Sequence, residues 1–103
     1  YLAAVRTLPN YNVMGPAKAS LEANVRFMAS DLGPSGIRVN CISPGGAESG
    51  QNETFKEHYS TRIPLGRMAQ REEMVNTLIW LASDASSYVT GQNIMVDGGL
   101  SVW

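Results

Sequence analysis

Tyr11 and Lys18, in the run Pro-Asn-Tyr-Asn-Val-Met-Gly-Pro-Ala-Lys (Pro9 to Lys18), are the residues whose types and spacing could do chemistry. A helix turns about 100° per residue, so seven steps come to roughly 700°, about 20° short of two turns. If the segment is helical, phenol and ammonium share one face, about 10 Å apart along the axis. A phenol can donate a proton or a hydrogen bond to an oxygen that is gaining negative charge. A neighbouring ammonium favours the phenolate and can itself hold a cofactor hydroxyl. The same two residues also fit an ordinary amphipathic helix with a half-buried Tyr and a solvated Lys, so the remainder of the chain must decide between the two.

Other reactive types are sparse. Cys41 is the single cysteine among 103 residues, so no internal disulfide forms, which fits a reducing compartment. It lies in an apolar alternating run and reads as a small core residue. His58 has no Cys or His at ligand spacing, so no zinc site is expected. The 8 Lys+Arg balance 9 Asp+Glu, with no basic stripe for nucleic acid. The longest apolar runs, such as Thr77 to Ala82, are too short to span a membrane. No signal-peptide pattern opens the chain.

The elements that must position these residues follow from periodicity and punctuation. Val13, Ala17, Leu21, Val25, Met28 and Leu32 recur at three or four, predicting a long helix ended by Gly33-Pro34-Ser35-Gly36. Asn10 or Asn12 can cap it, with Pro16 tolerated in the first turn. Ile37 to Ser43 reads as a strand rich in β-branched residues, broken by Pro44-Gly45-Gly46. Ala47 to Asn52 reads as a loop and Glu53 to Ser60 as a short helix. Gln70 to Ser83 reads as a second clear helix with Met74, Leu78 and Leu81 as its stripe. Asn93 to Val96 is a last strand, closed by Asp97-Gly98-Gly99. Trp80 and Trp103 read as core or interface, and Asn40 as a polar residue satisfied by backbone.

Two strands joined by a helical crossover imply a parallel pair in an α/β sheet. A parallel sheet needs helices on both faces, and two principal helices are too few to cover it. The chain also begins with Tyr1. Residues 1–103 are therefore expected to be the C-terminal portion of a single domain with the order helix-strand-helix-helix-strand.

The Tyr11/Lys18 pair, the strand Ile-Arg-Val-Asn-Cys-Ile-Ser before Pro-Gly-Gly, the segment Ile63-Pro64-Leu65-Gly66-Arg67 and the ending Thr-Gly-Gln-Asn-Ile-Met-Val-Asp-Gly-Gly together resemble the short-chain dehydrogenase/reductase family. That resemblance implies a Rossmann-type doubly wound parallel sheet whose N-terminal nucleotide-binding half is absent from these residues. Most members of that family place the catalytic Tyr four residues before the Lys, where this chain has Met14. The spacing of seven, with Pro9 to Arg26 as a whole, is similar to the divergent enoyl-acyl-carrier-protein reductases of bacterial fatty acid synthesis. The resemblance implies that Tyr11 hydrogen-bonds a thioester carbonyl becoming an enolate, and that Lys18 binds the nicotinamide ribose. Tyr1 falls where that branch has a second active-site tyrosine. It further implies NADH as cofactor with NADPH also open, an acyl-carrier-protein thioester as substrate, a homotetramer and a cytoplasmic location.

After Ser43 the chain departs from that branch. Ser-Pro-Gly-Gly-Ala-Glu-Ser is closer to the ordinary short-chain dehydrogenases. Within the resemblance, Pro44 and Gly45 flank the cofactor, Ala47 falls at a nicotinamide-carboxamide contact, and Ser49 falls where a Thr meets the pyrophosphate. Met14, Phe55 and Tyr59 are the substrate-side candidates, the last two as the apolar part of a short polar loop. The family's Gly-rich pyrophosphate turn is not found here, so these residues alone are not expected to hold NADH tightly. Two alternatives stay open: an ordinary dehydrogenase acting on a hydroxyl or ketone of a polar, sugar-like substrate, and a catalytically silent oligomerisation module.

Overall fold

The computed structural model describes residues 2–102. Tyr1 and Trp103, both singled out above, lie outside the described residues. A short 3-10 turn, Leu2–Ala4, precedes helix α1, Met14–Leu32. A 3-10 turn at Gly33–Ser35 leads to strand β1, Cys41–Pro44; then come α2, Glu53–Ser60, and α3, Arg71–Ala82. A turn at Asp84–Ser86, strand β2, Asn93–Val96, and a last 3-10 turn, Leu100–Val102, complete the order.

Helix α1 starts later than its apolar stripe predicts, and Pro16 is the reason. Gly15 N–H donates to Tyr11 C=O at 2.7 Å and Ala17 N–H to Val13 C=O at 3.2 Å. The bond between them would need an N–H on Pro16, which has none. Helical bonding therefore reaches back to Tyr11 with one rung missing. Neither expected Asn caps the helix: the capping residue is Val13, without a side-chain bond. Asn10 instead takes a left-handed turn at φ 65°, which Asn tolerates better than most residues. At the other end, Gly36 at φ 74° follows the Gly33–Ser35 turn.

The two strands pair in parallel, with Cys41 opposite Asn93 and Pro44 opposite Val96. The strand expected from Ile37 is shorter because side chains take over part of the ladder before Cys41, beside the backbone bond from Gly91 N–H to Val39 C=O at 2.7 Å. Val39 N–H donates to Thr90 Oγ1 at 3.0 Å, and Gln92 N–H donates to Asn40 Oδ1 at 3.0 Å. Asn40 Nδ2 in turn reaches Val89 C=O at 2.8 Å, so Asn40 is satisfied by backbone. Arg38 fans across two carbonyls at the end of α3, Leu81 at 2.8 Å and Ser83 at 3.2 Å, and a third, Val89 at 3.2 Å, in the connection to β2. The wholly buried Ser86 hydroxyl faces the carbonyls of Trp80, Leu81 and Ser83. Together these groups satisfy the carbonyls that a helix C-terminus leaves without partners.

Helix α3 is closed at its start by Glu73, whose carboxylate accepts from Gln70 N–H at 2.8 Å. The same carboxylate forms a two-pronged pair with Arg67 at 2.7 and 2.8 Å. The core is small: Val25 and Ala29 from α1, Leu81 from α3, and Ile63 and Met68 from the connection. Large apolar side chains stay exposed on both long helices, Phe27 at 71 % and Ile79 at 61 % among them. The radius of gyration is 15.3 Å, against about 13 Å for a compact domain of about 100 residues. Two strands and these helices leave apolar surface uncovered, as the element count predicts.

Candidate active site

The carboxyl ends of β1 and β2 open into a cleft of about 720 Å³. In parallel α/β sheets this is the end at which ligands bind. Six of the residues singled out from the sequence line it: Tyr11, Pro44, Gly45, Ala47, Phe55 and Tyr59. They arrive from three places, the turn before α1, the end of β1 and helix α2. Tyr11 is half exposed. Lys18 is part-exposed on α1 and Met14 is exposed at its first turn; neither lines the cleft.

Close backbone approach explains the two glycines. A Cβ on Gly45 would lie 2.7 Å from Asp97 Cα and 2.9 Å from Asp97 Cβ. Gly45 N–H meanwhile donates to Val96 C=O at 2.9 Å, extending the parallel ladder to the cleft. A Cβ on Gly46 would run into the Tyr59 ring. That ring stacks on Phe55, with centroids 5.7 Å apart and planes 17° from parallel. Phe55 and Tyr59 are four residues apart on α2, the spacing that puts side chains together on a helix. Pro-Gly-Gly thus ends the strand and seats an aromatic pair at once.

Past Gly46 the chain forms a single parallel bridge, Ala47 beside Ala69. Ala69 N–H donates to Gly46 C=O and Glu48 N–H to Ala69 C=O, both at 2.9 Å. In such a bridge the neighbours of Ala47 make the bonds, so its own N–H and C=O point the other way. Ala47 C=O there accepts from Gln51 Nε2 at 3.2 Å. Ser49 is exposed, and its hydroxyl meets the same Nε2 at 3.0 Å.

Charged and polar residues that sequence reasoning left out of the site also line the cleft: Arg6, Arg62, Asp97 and Gln51. Arg6 donates to Ser101 C=O at 3.4 Å. Burial disfavours charge on Asp97, but the Ser101 hydroxyl and the N–H groups of Gly99 and Ser101 outweigh it and hold the carboxyl below its ordinary range. Asp97-Gly98-Gly99 is a built turn: Gly98 and Gly99 lie against Ile63 and Pro64 with no room for a Cβ. No local pattern flags Arg6 or Arg62, and Asp97 read only as the turn that closes the last strand; the tertiary fold brings all three to one cleft. Cys41 stays outside the cleft; burial first, and then the charge of Glu22, raise its thiol, the opposite of an activated nucleophile.

A cofactor fits this cleft in part. Ala47 lines the cleft where a planar carboxamide could meet backbone, although its C=O already accepts from Gln51 Nε2. The ends of α2 and α3 do not suit a pyrophosphate. Asn52 Oδ1 accepts from Phe55 N–H at 2.8 Å at the start of α2, with Glu53 in its first turn. Glu72 and Glu73 occupy the start of α3. A helix N-terminus attracts anions only where its amides are not already matched by its own cap and acids.

The sequence of residues 1–101 matches the family model described as "Enoyl-(Acyl carrier protein) reductase". The chain belongs to the enoyl-(acyl carrier protein) reductase family. It is 47 % identical over 108 residues to the Escherichia coli K12 enoyl-[acyl-carrier-protein] reductase [NADH] FabI, covering 99 % of this chain and 41 % of that protein. It is 48 % identical over 105 residues to the Staphylococcus aureus MRSA252 enoyl-[acyl-carrier-protein] reductase [NADPH] FabI, covering 96 % and 41 %. The chain thus spans about two-fifths of the length of these relatives. Among solved structures, a chain provisionally assigned as a betaketoacyl-ACP reductase superposes with a TM-score of 0.88 at 36 % identity, covering 99 % of this chain and 44 % of its own. The Rossmann-type α/β class expected of this enoyl reductase family member is the one these neighbours share.

Proposed function

We propose that residues 1–103 are the C-terminal portion of one short-chain reductase domain that reduces a trans-2-enoyl thioester carried by acyl carrier protein, using NADH or NADPH. The observation that carries this reading is that Tyr11 and Pro44 to Ala47 line one cleft at the carboxyl ends of parallel strands. The relatives' names supply the reaction and both nicotinamide cofactors.

A bound reduced nicotinamide supplies the hydride that adds to the β-carbon of the enoyl thioester. As that happens, negative charge would gather on the thioester oxygen, and uptake of a proton at the α-carbon would complete the reduction. In this reading the Tyr11 hydroxyl donates a hydrogen bond to that oxygen, a preorganised donor of the kind worth about 10²- to 10³-fold in rate. By the resemblance, Lys18 would hold the ribose hydroxyls, from a position on α1 outside the cleft lining, and Tyr1 would be the second active-site phenol. Ala47 meets the carboxamide through its backbone, while Pro44, Gly45 and Ser49 border the cofactor. Phe55 and Tyr59 border the acyl chain from the cleft wall, with Met14 a substrate-side candidate by the resemblance alone. With no pyrophosphate cradle at α2 or α3, tight cofactor binding needs residues beyond these elements. The enzyme works in the cytoplasm as a homo-oligomer, a tetramer as in the resembled family.

The test is NADH oxidation driven by crotonyl thioester in the full-length protein. Tyr11→Phe is expected to lower kcat at least 100-fold while leaving the unfolding midpoint within a degree or two. Retained activity would sink the assignment of Tyr11. A second reading is favoured by Arg6, Arg62, Asp97 and Gln51 in the cleft: a dehydrogenase of a polar hydroxyl or ketone. Turnover of a ketoacyl or sugar-like alcohol in place of crotonyl thioester would establish it. The uncovered apolar faces of α1 and α3 support a third, a silent oligomerisation module. A protein that associates but turns over none of these substrates would establish that one.

A further inference from the structure

We infer that Gln51 is a positioning residue: its side-chain amide clamps the Ala47–Ser49 loop in the shape that faces the cleft. One amide makes three bonds to this loop. Oε1 accepts from Ser49 N–H at 2.7 Å; Nε2 donates to Ala47 C=O at 3.2 Å and meets Ser49 Oγ at 3.0 Å. Gly50 makes this reach possible. Its φ of 87° turns the chain back, a conformation glycine adopts without the usual Cβ cost. The opposite edge of the loop is held by Ala69 through Gly46 and Glu48. The next residue, Gln70, donates its N–H to Glu73, whose carboxylate is itself held by Arg67. The loop is therefore pinned on both sides, by a backbone bridge on one and a single removable side chain on the other. Beyond the bridge at Ala47 the segment 48–52 is irregular, so the Gln51 amide is the side chain that orients the Ala47 C=O and the Ser49 N–H. Because Gln51 lines the cleft itself, its amide also decides which loop groups remain open to a ligand.

This inference rests on the reading of the cleft as the cofactor and substrate site. A preformed loop lowers the ordering cost of binding, so loss of the clamp raises the KM for NADH and leaves kcat nearly unchanged. Gln51→Ala removes all three bonds. Gln51→Glu keeps an acceptor for Ser49 N–H but sets a carboxylate oxygen against Ala47 C=O. Both variants, made in the full-length protein, are expected to raise the NADH KM at least fivefold with kcat within twofold and an unchanged unfolding midpoint. Amide hydrogen exchange at Ser49 is expected to accelerate in Gln51→Ala. An unchanged KM overturns the positioning role, and a lowered KM overturns it too, because the amide would then be obstructing the cleft. If the parent protein has no reductase activity, the proposed function fails and takes the cofactor role with it. Accelerated Ser49 exchange in Gln51→Ala then still upholds the clamp itself, and unaltered exchange removes it.

Discussion

Adding one methyl group to either glycine at the end of β1 gives opposite kinds of damage, and the structure says which. At Gly45 the new Cβ meets Asp97 Cα at 2.7 Å and its carbonyl carbon at 3.3 Å. These are backbone atoms of β2's end, held by the ladder bond from Gly45 to Val96 and by the Asp97 turn. The strands must separate by several tenths of an ångström. Overpacking of this kind typically costs 1–3 kcal/mol, about, and replacing Gly by Ala returns roughly 0.4–1 kcal/mol through the unfolded chain. The net expectation for Gly45→Ala is a loss of about 1–2 kcal/mol. At Gly46 the obstacle is instead the Tyr59 ring, a side chain that can swing away into the cleft. Gly46→Ala should therefore lose its penalty once Tyr59 is truncated, whereas Gly45→Ala should not. Urea unfolding of the single variants, of Tyr59→Ala and of both doubles measures this as a double-mutant cycle. The Gly46/Tyr59 pair is expected to couple by about 1 kcal/mol, within the usual range for residues in contact. Coupling below 0.3 kcal/mol, about the limit for independent sites, would refute the seating of Tyr59 on Gly46. A Gly45→Ala variant as stable as its parent would refute the close approach of the strands.

Three further outcomes follow from the same structure. Glu73 is held down to about 2, by its bond from Arg67 first and by Gln70 N–H second. A lowered carboxyl contributes stability that is present above its ordinary value of 4.5 and lost as pH falls toward 2. Stability should thus decline between those values, and Glu73→Gln should flatten the decline in acid-unfolding curves. Arg38→Ala removes a charged donor from three carbonyls and is expected to cost about 2 kcal/mol, read from the urea midpoint. Arg38→Lys should recover only part of it, because a single ammonium cannot span the fork of contacts.

Much of this architecture is legible locally. The bounds of α2 and β2 coincide with the expected Glu53–Ser60 and Asn93–Val96, because each is bracketed by strong punctuation: Asn52 as a cap, and Gly91 and Asp97-Gly98-Gly99 around the strand. Helix α3 is one residue shorter at each end than expected, as Gln70 and Ser83 serve as its caps. The misses share one cause. The start of α1 turned on a single absent N–H at Pro16. The start of β1 turned on the Asn40 and Thr90 side chains taking over bonds that a ladder would otherwise make. Periodicity reports which residues are apolar, not which hydrogen bond a side chain substitutes.

The sequence by itself determined the parallel α/β class and the family, since residue type, spacing and short-range order carry those; it singled out Tyr11 and Lys18, but Tyr11 lies in the turn before α1 and Lys18 outside the cleft. Seven-residue spacing and Met14 four before Lys18 are visible without coordinates. Only the tertiary structure decided what surrounds Tyr11. It brought Arg6, Arg62 and Asp97 to one cleft from positions far apart in the chain, and it turned Gln51 back onto Ala47 and Ser49. The physical reason is that a cleft at strand ends is made by packing separate elements together, and close approaches such as Gly45 to Asp97 exist only once the sheet has formed.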